Sequence, residues 1–278
     1  MPETTPAMLR APLGDVTLEY ELRGAGEPVL FIHGGLCAAW FRDLLRRPEL
    51  GGGRQLVRYH RVGYAGSDHV AGPVSLSRQA AHCHALMRHL GIASAHVVGH
   101  SSGANIALQL AMDHPESVRS LALLETALLA VPTGPFAGQA IQQYRAGDSA
   151  TAVDTWLRGV AGPDYRGTLD RVLPGAFEQA VADASTFFGQ ELPAVREWSF
   201  EPTDAKRINQ PVLTVLGARS DAVSPVFRQR HELLLTWLPN AQPFILADAT
   251  HLLQVDNPGV LAQRLAGFIA DPNATNRL

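Results

Sequence analysis

Short apolar segments alternate with longer amphipathic segments along most of this chain, and this alternation limits the folds that it can adopt. Residues 28–32, 55–59 and 118–124 are largely apolar runs with the length of a buried strand. Residues 75–90 instead place apolar side chains at the spacing of one helix face. Strands that are joined by helices run parallel and are covered by helices on both faces. The pattern therefore predicts an α/β fold with a mostly parallel, doubly wound sheet.

The alternation stops after Glu125 and resumes only in the last quarter of the chain. Residues 127–209 form helical segments that are rich in Ala, Gln, Asp and aromatic residues, with Gly and Pro between them. Apolar strand patterns then return and lead into a final helical pattern. We therefore expect a core domain formed by residues 1–126 and 210–278, with residues 127–209 inserted as a helical subdomain.

The composition excludes several classes of function. The chain has 278 residues, of which 46% are hydrophobic and 18% charged, and its formal net charge of −3 gives no basic surface for nucleic acid. The N-terminus lacks a basic start followed by an apolar core, and no apolar run approaches the ~20 residues that span a bilayer. The sequence therefore predicts a cytoplasmic protein that binds neither nucleic acid nor a membrane.

The cysteine and histidine residues do not form a metal-binding pattern. The two cysteines, Cys37 and Cys83, do not form a Cys-x-x-Cys pair, and two cysteines cannot build a disulfide framework. His82 and His84 lie two positions apart on a predicted helix, where such side chains point in different directions. We therefore expect no metal site and a reducing compartment.

A Gly-x-Ser-x-Gly pattern, Gly99-His-Ser-Ser-Gly103, lies between a strand pattern and a helical pattern that continues to His114. In a parallel sheet, a strand that turns sharply into a helix raises one side chain at the carboxyl edge, where ligands bind. Glycines two residues to either side leave room for such a tight turn. Ser101 is therefore a candidate nucleophile, and the N–H of Ser102 is expected to face the same space.

A serine nucleophile needs a general base, and the base needs an acid that orients it. His251 directly follows the last predicted strand, and Asp221 directly follows the strand before it. Both positions belong to the edge of the sheet where Ser101 is expected. The sequence therefore predicts a catalytic triad of Ser101, Asp221 and His251.

The sequence resembles the α/β-hydrolase superfamily from about residue 13 to residue 270. In chain order, the resemblance rests on His33-Gly-Gly35, Gly63-Tyr-Ala-Gly-Ser67, Gly99-His-Ser-Ser-Gly103, Gly217-Ala-Arg-Ser-Asp221 and Thr250-His251. It implies the α/β-hydrolase fold, in which the triad follows the chain order nucleophile, acid, base. It also implies that the helical insertion is a cap over the site that supplies most of the substrate pocket.

The resemblance further implies two backbone donors for the oxyanion that forms when the serine attacks. They are the N–H of Ser102 and the N–H of Gly35, with Leu36 as the neighbour that could replace Gly35. Some members of the superfamily, zearalenone lactone hydrolases among them, take the acid from the position of Glu125, which directly follows the strand at residues 118–124. The sequence Ser101-Ser-Gly-Ala104 at the turn after the strand is loosely similar to that of these lactonases. Asp221 is the expected acid nevertheless, because such lactonases tend to lack the downstream aspartate.

These residues favour a serine hydrolase that cleaves a carboxylic ester or lactone of a small to medium apolar substrate through an acyl-enzyme on Ser101. C–C bond hydrolases and amidases use the same triad and stay open as alternatives, as does a ligand-binding receptor with slow turnover. Dehalogenases and epoxide hydrolases of this architecture need a carboxylate nucleophile, and position 101 is a serine. We expect no cofactor, a small-molecule substrate as the partner, and a monomer or homodimer.

Overall fold

The computed structural model describes residues 8–129 and 131–273. These residues contain an eight-stranded sheet with the strand order β1-β2-β4-β3-β5-β6-β7-β8. The strands are β1 (Leu9–Pro12), β2 (Thr17–Gly24), β3 (Glu27–Ile32), β4 (Arg54–Tyr59), β5 (Ala95–His100), β6 (Val118–Leu124), β7 (Val212–Gly217) and β8 (Ala241–Leu246). β2 pairs antiparallel with β1 and with β4, and the other strand pairs are parallel. The prediction of a mostly parallel sheet is confirmed.

Helices cover both faces of the sheet, and each face has its own apolar core. The helices are α1 (Pro48–Gly51), α2 (Leu76–His89), α3 (Ser102–Asp113), α4 (Phe136–Arg145), α5 (Ser149–Ala161), α6 (Tyr165–Val172), α7 (Ala176–Ala182), α8 (Ala184–Thr186), α9 (Leu192–Glu197), α10 (Pro202–Ala205), α11 (Ser220–Val223), α12 (Val226–Trp237), α13 (Leu253–Asp256) and α14 (Pro258–Ala270). On one face, α2 and α3 bury Leu86 and Ile106 against the strands. On the other face, α14 buries Leu265 and Phe268. This two-sided cover is the doubly wound arrangement that the alternating pattern predicts.

The segment between β6 and β7 is helical throughout its regular structure. It contains α4 to α10 and a π-helical turn at Phe187–Glu191. Its apolar side chains, such as Leu157 and Phe187, form a third cluster together with Leu36 and Trp40 from the loop after β3. The segment therefore packs on the carboxyl edge of the sheet, as a cap would. The division of the chain into domains at residues 126 and 210 stays a prediction.

The strand order places a crevice at the centre of the sheet. From β3 the chain moves to one side to form β4 and then returns to the other side to form β5. In open α/β sheets, ligands bind outside the carboxyl ends of the strands at such a reversal. The loop after β3 and the turn after β5 both face this position. No helix among the described residues has the length and apolar character needed to cross a membrane.

Candidate active site

Ser101 lies in the sharp turn between β5 and α3. Its backbone has φ 53° and ψ −122°, a conformation that non-glycine residues rarely adopt. Such strain costs on the order of 1–3 kcal/mol and persists only where the surrounding structure enforces it. The Ser101 N–H donates to the carbonyl of Leu124 at 2.9 Å, which holds the turn against the end of β6. The strained backbone is therefore fixed by the sheet, with the side chain at the carboxyl edge.

The two glycines of the turn are required by close packing. A Cβ on Gly99 would lie 2.6 Å from the Cα of Ala104, at the start of the following helix. A Cβ on Gly103 would lie 2.6 Å from the carbonyl oxygen of His33 and would also collide with that of Ile32. Real Cβ atoms do not approach backbone so closely, because protein interiors are already close-packed. The expected reason for the Gly-x-Ser-x-Gly pattern is therefore confirmed.

His251 lies in the loop between β8 and α13, and its ring contacts the buried carboxylate of Glu125. The Nδ1 atom of His251 lies 2.6 Å from Oε2 of Glu125, whose side chain is fully buried. The other carboxylate oxygen of Glu125 accepts hydrogen bonds from the N–H of Gly217 at 2.7 Å and from the hydroxyl of Ser220 at 2.5 Å. Both carboxylate oxygens of Glu125 are thus engaged, and one of them fixes the orientation of the imidazole.

The expectation that Asp221 holds His251 is wrong for this structure. Asp221 belongs to the short helix α11, where its carboxylate forms an ion pair with Arg228 and its side chain is 35% exposed. The turn between β7 and α11 instead supplies Gly217 and Ser220, the two donors to Glu125. Glu125 itself has φ 43°, a second strained non-glycine position at the edge of the sheet. The alternative that the sequence left open therefore has the geometry of the orienting acid.

The loop that carries His251 is held by three further contacts. Asp256 accepts hydrogen bonds from the N–H and the hydroxyl of Thr250, at 2.8 and 2.6 Å. His100 Nε2 lies 2.9 Å from the carbonyl oxygen of His251, and burial lowers the pKa of His100 well below its ordinary value. The ring of Phe227 stacks on the imidazole of His251 with centroids 4.6 Å apart. These contacts leave the imidazole little freedom to rotate.

The backbone donors that the sequence proposes for an oxyanion are close to Ser101. Gly35, Leu36 and Ser102 all line the same cavity as Ser101 and His251. Ser102 is the first residue of α3, and N–H groups in the first turn of a helix have no partner within the helix. The carbonyl of Gly35 accepts a hydrogen bond from Trp40 Nε1 at 2.9 Å, which fixes the loop after β3. The assignment of Gly35 and Ser102 as oxyanion donors stays a prediction.

A buried charged network joins the helical segment to the core next to the turn that carries Ser101. Glu191, at the end of the π-helical turn, accepts two hydrogen bonds from the guanidinium of Arg61, at 2.9 and 3.0 Å. The Glu191 and Arg61 side chains are 2% and 1% exposed. Glu191 also accepts hydrogen bonds from the hydroxyls of Tyr64 and Ser102. Burial raises the pKa of Tyr64 well above its ordinary value, and the Glu191 carboxylate adds to this, so Tyr64 stays protonated and donates.

The cavity over Ser101 has a volume of about 590 Å³, within the usual range for small-molecule sites. Most of its wall is apolar. The apolar wall residues include Leu36, Trp40, Leu129, Phe136, Trp156, Leu157, Val160, Phe187, Leu192, Val195, Val226, Phe227 and Leu252. Among the charged residues of the wall are Glu191 and two arginines, Arg196 and Arg230. The cavity can therefore accept an apolar molecule next to a serine and a histidine.

One cluster of potential metal ligands occurs among the described residues, away from the cavity wall. His84, His114 and Glu116 bring their ligand atoms within 4.8 Å of one another. The two imidazole rings are stacked, with centroids 3.7 Å apart and planes 24° apart. An imidazole binds a metal in the plane of its ring, so two stacked rings do not direct their lone pairs at one ion. The expectation of no metal site stays a prediction.

Sequence reasoning missed the buried charged residues near the cavity, whose contacts join segments that are far apart in the chain. Arg61 lies just before the Gly63-Tyr-Ala-Gly-Ser67 motif, which was the only signal for it. Glu191 and Arg230 carry no local motif at all. His33 has a contact at each ring nitrogen: its Nδ1 lies 2.7 Å from the carbonyl of Gly34, and its Nε2 accepts from the N–H of Arg61 at 3.0 Å. It braces the loop after β3.

Comparison with known proteins shows the family. The sequence model of the alpha/beta hydrolase fold matches residues 27–165, and the chain belongs to this family. It is similar to the putative carbamate hydrolase RutD of Azorhizobium caulinodans, with 35% identity over 112 residues, which are 40% of this chain and 42% of that protein. The chain thus matches less than half of the length of this relative.

Two further similarities extend over most of the chain. The 2-hydroxymuconate semialdehyde hydrolase of Pseudomonas putida is 26% identical over 91% of this chain and 90% of its own length. The enol-lactonase from Burkholderia xenovorans LB400 has a similar structure, with a TM-score of 0.81 and 19% identity over 95% of this chain and all of that one. These similarities confirm the expected α/β-hydrolase fold.

Proposed function

We propose that this chain is a serine hydrolase that cleaves a carboxylic ester or lactone of a small to medium substrate through an acyl-enzyme on Ser101. One observation carries the proposal: a strained serine and a histidine held by a buried glutamate line the same largely apolar cavity. A serine is a weak nucleophile until a neighbouring base removes its proton, and His251 is the proposed base.

The proposed reaction has two steps. The hydroxyl oxygen of Ser101 attacks the acyl carbonyl while His251 accepts its proton and then passes this proton to the leaving alcohol. A water molecule then attacks the acyl-enzyme, again with His251 as the base, and releases the carboxylic acid. Glu125 holds the imidazole through Nδ1 and stabilises its charged form. We assign Glu125, rather than Asp221, as the acid of the triad.

The N–H groups of Gly35 and Ser102 are the proposed donors to the oxyanion of each tetrahedral intermediate. The start of α3 adds the positive end of its helix dipole at the same place. Loss of one oxyanion donor typically lowers turnover about 10²- to 10³-fold. Removing a backbone donor needs a change of backbone, so the side chains of the triad provide the cleaner test.

The decisive experiment compares the wild type with Ser101→Ala and with Ser199→Ala, a change at an exposed serine of the helical segment. Each protein is assayed on p-nitrophenyl esters of increasing chain length and on a set of lactones, and each is treated with a fluorophosphonate. Ser101→Ala is expected to lose all turnover and all labelling while it keeps its circular dichroism spectrum. Ser199→Ala should match the wild type. Stoichiometric labelling of the wild type without turnover of any ester or lactone would instead indicate a receptor.

C–C bond hydrolysis is a second candidate, because the similarity to the 2-hydroxymuconate semialdehyde hydrolase extends over 91% of this chain. The same triad groups can activate water against a carbon–carbon bond that is adjacent to a carbonyl group. Assay of 2-hydroxymuconate semialdehyde beside the ester panel separates the two candidates. Turnover of this compound with a kcat/KM above that of every ester would replace the ester assignment.

A further inference from the structure

Arg230 lies on the wall of the cavity, close to the proposed triad. Helix α12 presents Val226, Phe227 and Arg230 to the cavity, and these positions share one helix face. Phe227 stacks on the imidazole of His251, and Arg230 follows it by three residues, which is about one helical turn of 5.4 Å. The Arg230 residue is 6% exposed. A guanidinium is thus buried within about one turn of the residue that packs on the proposed base.

The hydrogen bonds of Arg230 do not neutralise its charge. Its Nε and Nη2 atoms donate to the carbonyl of Val131 at 3.2 and 2.8 Å, and Nη2 also donates to the hydroxyl of Thr133 at 3.1 Å. Within residues 8–129 and 131–273, no carboxylate lies within 4.0 Å of this guanidinium, and its Nη1 has no hydrogen-bond partner. This contrasts with Arg61, the other buried arginine near the cavity, which is paired with Glu191.

A buried guanidinium without a carboxylate partner is unfavourable unless a ligand supplies the opposite charge. Burial lowers the pKa of Arg230 to about 10, while the charge of Glu125 acts in the opposite direction, so the group stays charged at neutral pH. Glu191 does not compensate for it within the cavity, because its own charge is already paired with Arg61. Arg196, an exposed residue of the cavity wall, adds a second positive charge. The apolar wall therefore carries two arginines, and Arg230 forms no ion pair with a carboxylate of the described residues.

We propose that Arg230 binds a carboxylate at the end of the substrate, so that this enzyme prefers esters or lactones with an apolar body and an anionic end. This inference rests on the proposed function, since it names the substrate class of the same cavity. A guanidinium binds a carboxylate with charge-assisted hydrogen bonds that are stronger than those between neutral groups. Nη1 of Arg230 is available for this carboxylate, and Arg196 attracts anions toward the cavity.

The experiment uses two esters with acyl chains of equal length, mono-p-nitrophenyl glutarate and p-nitrophenyl valerate. The wild type is expected to have the higher kcat/KM on the glutarate ester. Arg230→Met should lower kcat/KM on the glutarate ester about 10- to 100-fold, mainly through KM, because a hydrogen bond to a charged group contributes about 1.5–3 kcal/mol. The valerate ester should change less than about 3-fold. Arg230→Lys, which keeps the charge, should recover part of the preference.

Arg228→Met is the matched control, because Arg228 lies on the same helix but is exposed and paired with Asp221. It should leave the ratio of the two kcat/KM values unchanged. An equal loss on both esters in Arg230→Met would overturn the proposal, because Arg230 would then act only through Glu125 or through the loop at Val131 and Thr133. A wild type without preference for the glutarate ester would overturn it as well.

A binding measurement separates this proposal from the proposed function. Three proteins are titrated calorimetrically with monomethyl glutarate and with methyl valerate. They are Ser101→Ala alone, Ser101→Ala combined with Arg230→Lys, and Ser101→Ala combined with Arg230→Met. Tighter binding of the glutarate that is lost in Arg230→Met supports the anionic subsite even if the wild type hydrolyses no ester. Equal binding of both compounds rejects the subsite even if Ser101 proves to be the nucleophile.

Discussion

Oε2 of Glu125 lies 2.6 Å from Nδ1 of His251, and this contact crosses from the end of β6 to the loop after β8. A carboxylate at Nδ1 selects the tautomer in which Nε2 is free to accept a proton. Glu125 reaches this place because the end of β6 is next to β7, whose last residue, Gly217, donates to the same carboxylate. Glu125, Gly217, Ser220 and His251 are thus parts of one hydrogen-bonded unit.

Glu125→Gln is expected to lower kcat on the best ester by about 10³- to 10⁴-fold, because an amide at this position favours the wrong tautomer of His251. Asp221→Asn should stay within about 2-fold of the wild type, since Asp221 pairs with Arg228 on the surface. Steady-state kinetics of the two variants on the same ester check both statements. The assignment of Glu125 fails if Asp221→Asn shows the larger loss.

Loss of the Glu191 carboxylate is expected to destabilise the protein. Glu191→Gln leaves the buried guanidinium of Arg61 without an opposite charge, and breaking a buried ion pair typically costs about 3–5 kcal/mol. Urea unfolding measures the change. Glu197→Gln, at an exposed position of the same helical segment, should change the free energy of unfolding by less than about 0.5 kcal/mol. Similar values for the two variants would mean that the Arg61 and Glu191 charges do not depend on each other.

A double-mutant cycle tests the same pair more directly. If Arg61 and Glu191 stabilise each other, Arg61→Met combined with Glu191→Met should be less destabilising than the sum of the two single changes. The expected coupling is on the order of 1–3 kcal/mol. Additive losses in the free energy of unfolding would contradict a direct interaction between the two side chains.

The carboxyl edge of the sheet could be predicted from the sequence, but the side chains that meet there could not all be identified. Strand and helix patterns placed Ser101, Glu125, Asp221 and His251 at the ends of four strands, and the structure has them there. Chain position does not give the direction of a side chain. Asp221 follows β7 by a few residues and forms an ion pair with Arg228. Glu125 has a strained backbone and a buried carboxylate.

Contacts between distant segments explain the other omissions. Glu191 and Arg61 are 130 positions apart, and each lies in a segment whose local pattern gives no reason for a buried charge.

β1 is a four-residue edge strand with a single buried side chain, Ala11, so it has almost no apolar period to detect. Of the aromatic residues of the helical segment, Phe136, Trp156 and Phe187 line the cavity. Which ones do so depends on helix packing that periodicity does not describe.

The free energy of unfolding is expected to fall as the pH drops below about 6.5, the ordinary pKa of histidine. Burial lowers the pKa values of His33 and His100 well below this value in the folded protein, so only the unfolded chain binds these protons. The stabilisation from the two uncharged rings is fully present above their pKa in the unfolded chain. As the pH falls from there toward their pKa in the folded protein, the free energy of unfolding decreases by up to about 1.4 kcal/mol per pH unit for each ring. Urea unfolding between pH 8 and about pH 5 measures the slope, and NMR titration of the two imidazoles provides the check. Titration of both rings in the folded protein near their ordinary pKa would contradict this.

Gly103→Ala should destabilise the nucleophile turn, because the added methyl group would press on the carbonyls of Ile32 and His33. Such overpacking typically costs about 1–3 kcal/mol. The shift of Ser101 that relieves the clash should also lower kcat, since the hydroxyl and the oxyanion donors depend on this turn. Gly167→Ala is the matched control: it lies in α6, its Cβ would meet nothing within 4 Å, and alanine is favoured over glycine inside a helix by roughly 0.5–1 kcal/mol. Thermal unfolding should therefore show a less stable Gly103→Ala and a more stable Gly167→Ala. Ester kinetics should show a lower kcat only in Gly103→Ala. An unchanged kcat in Gly103→Ala would mean that the turn tolerates a side chain.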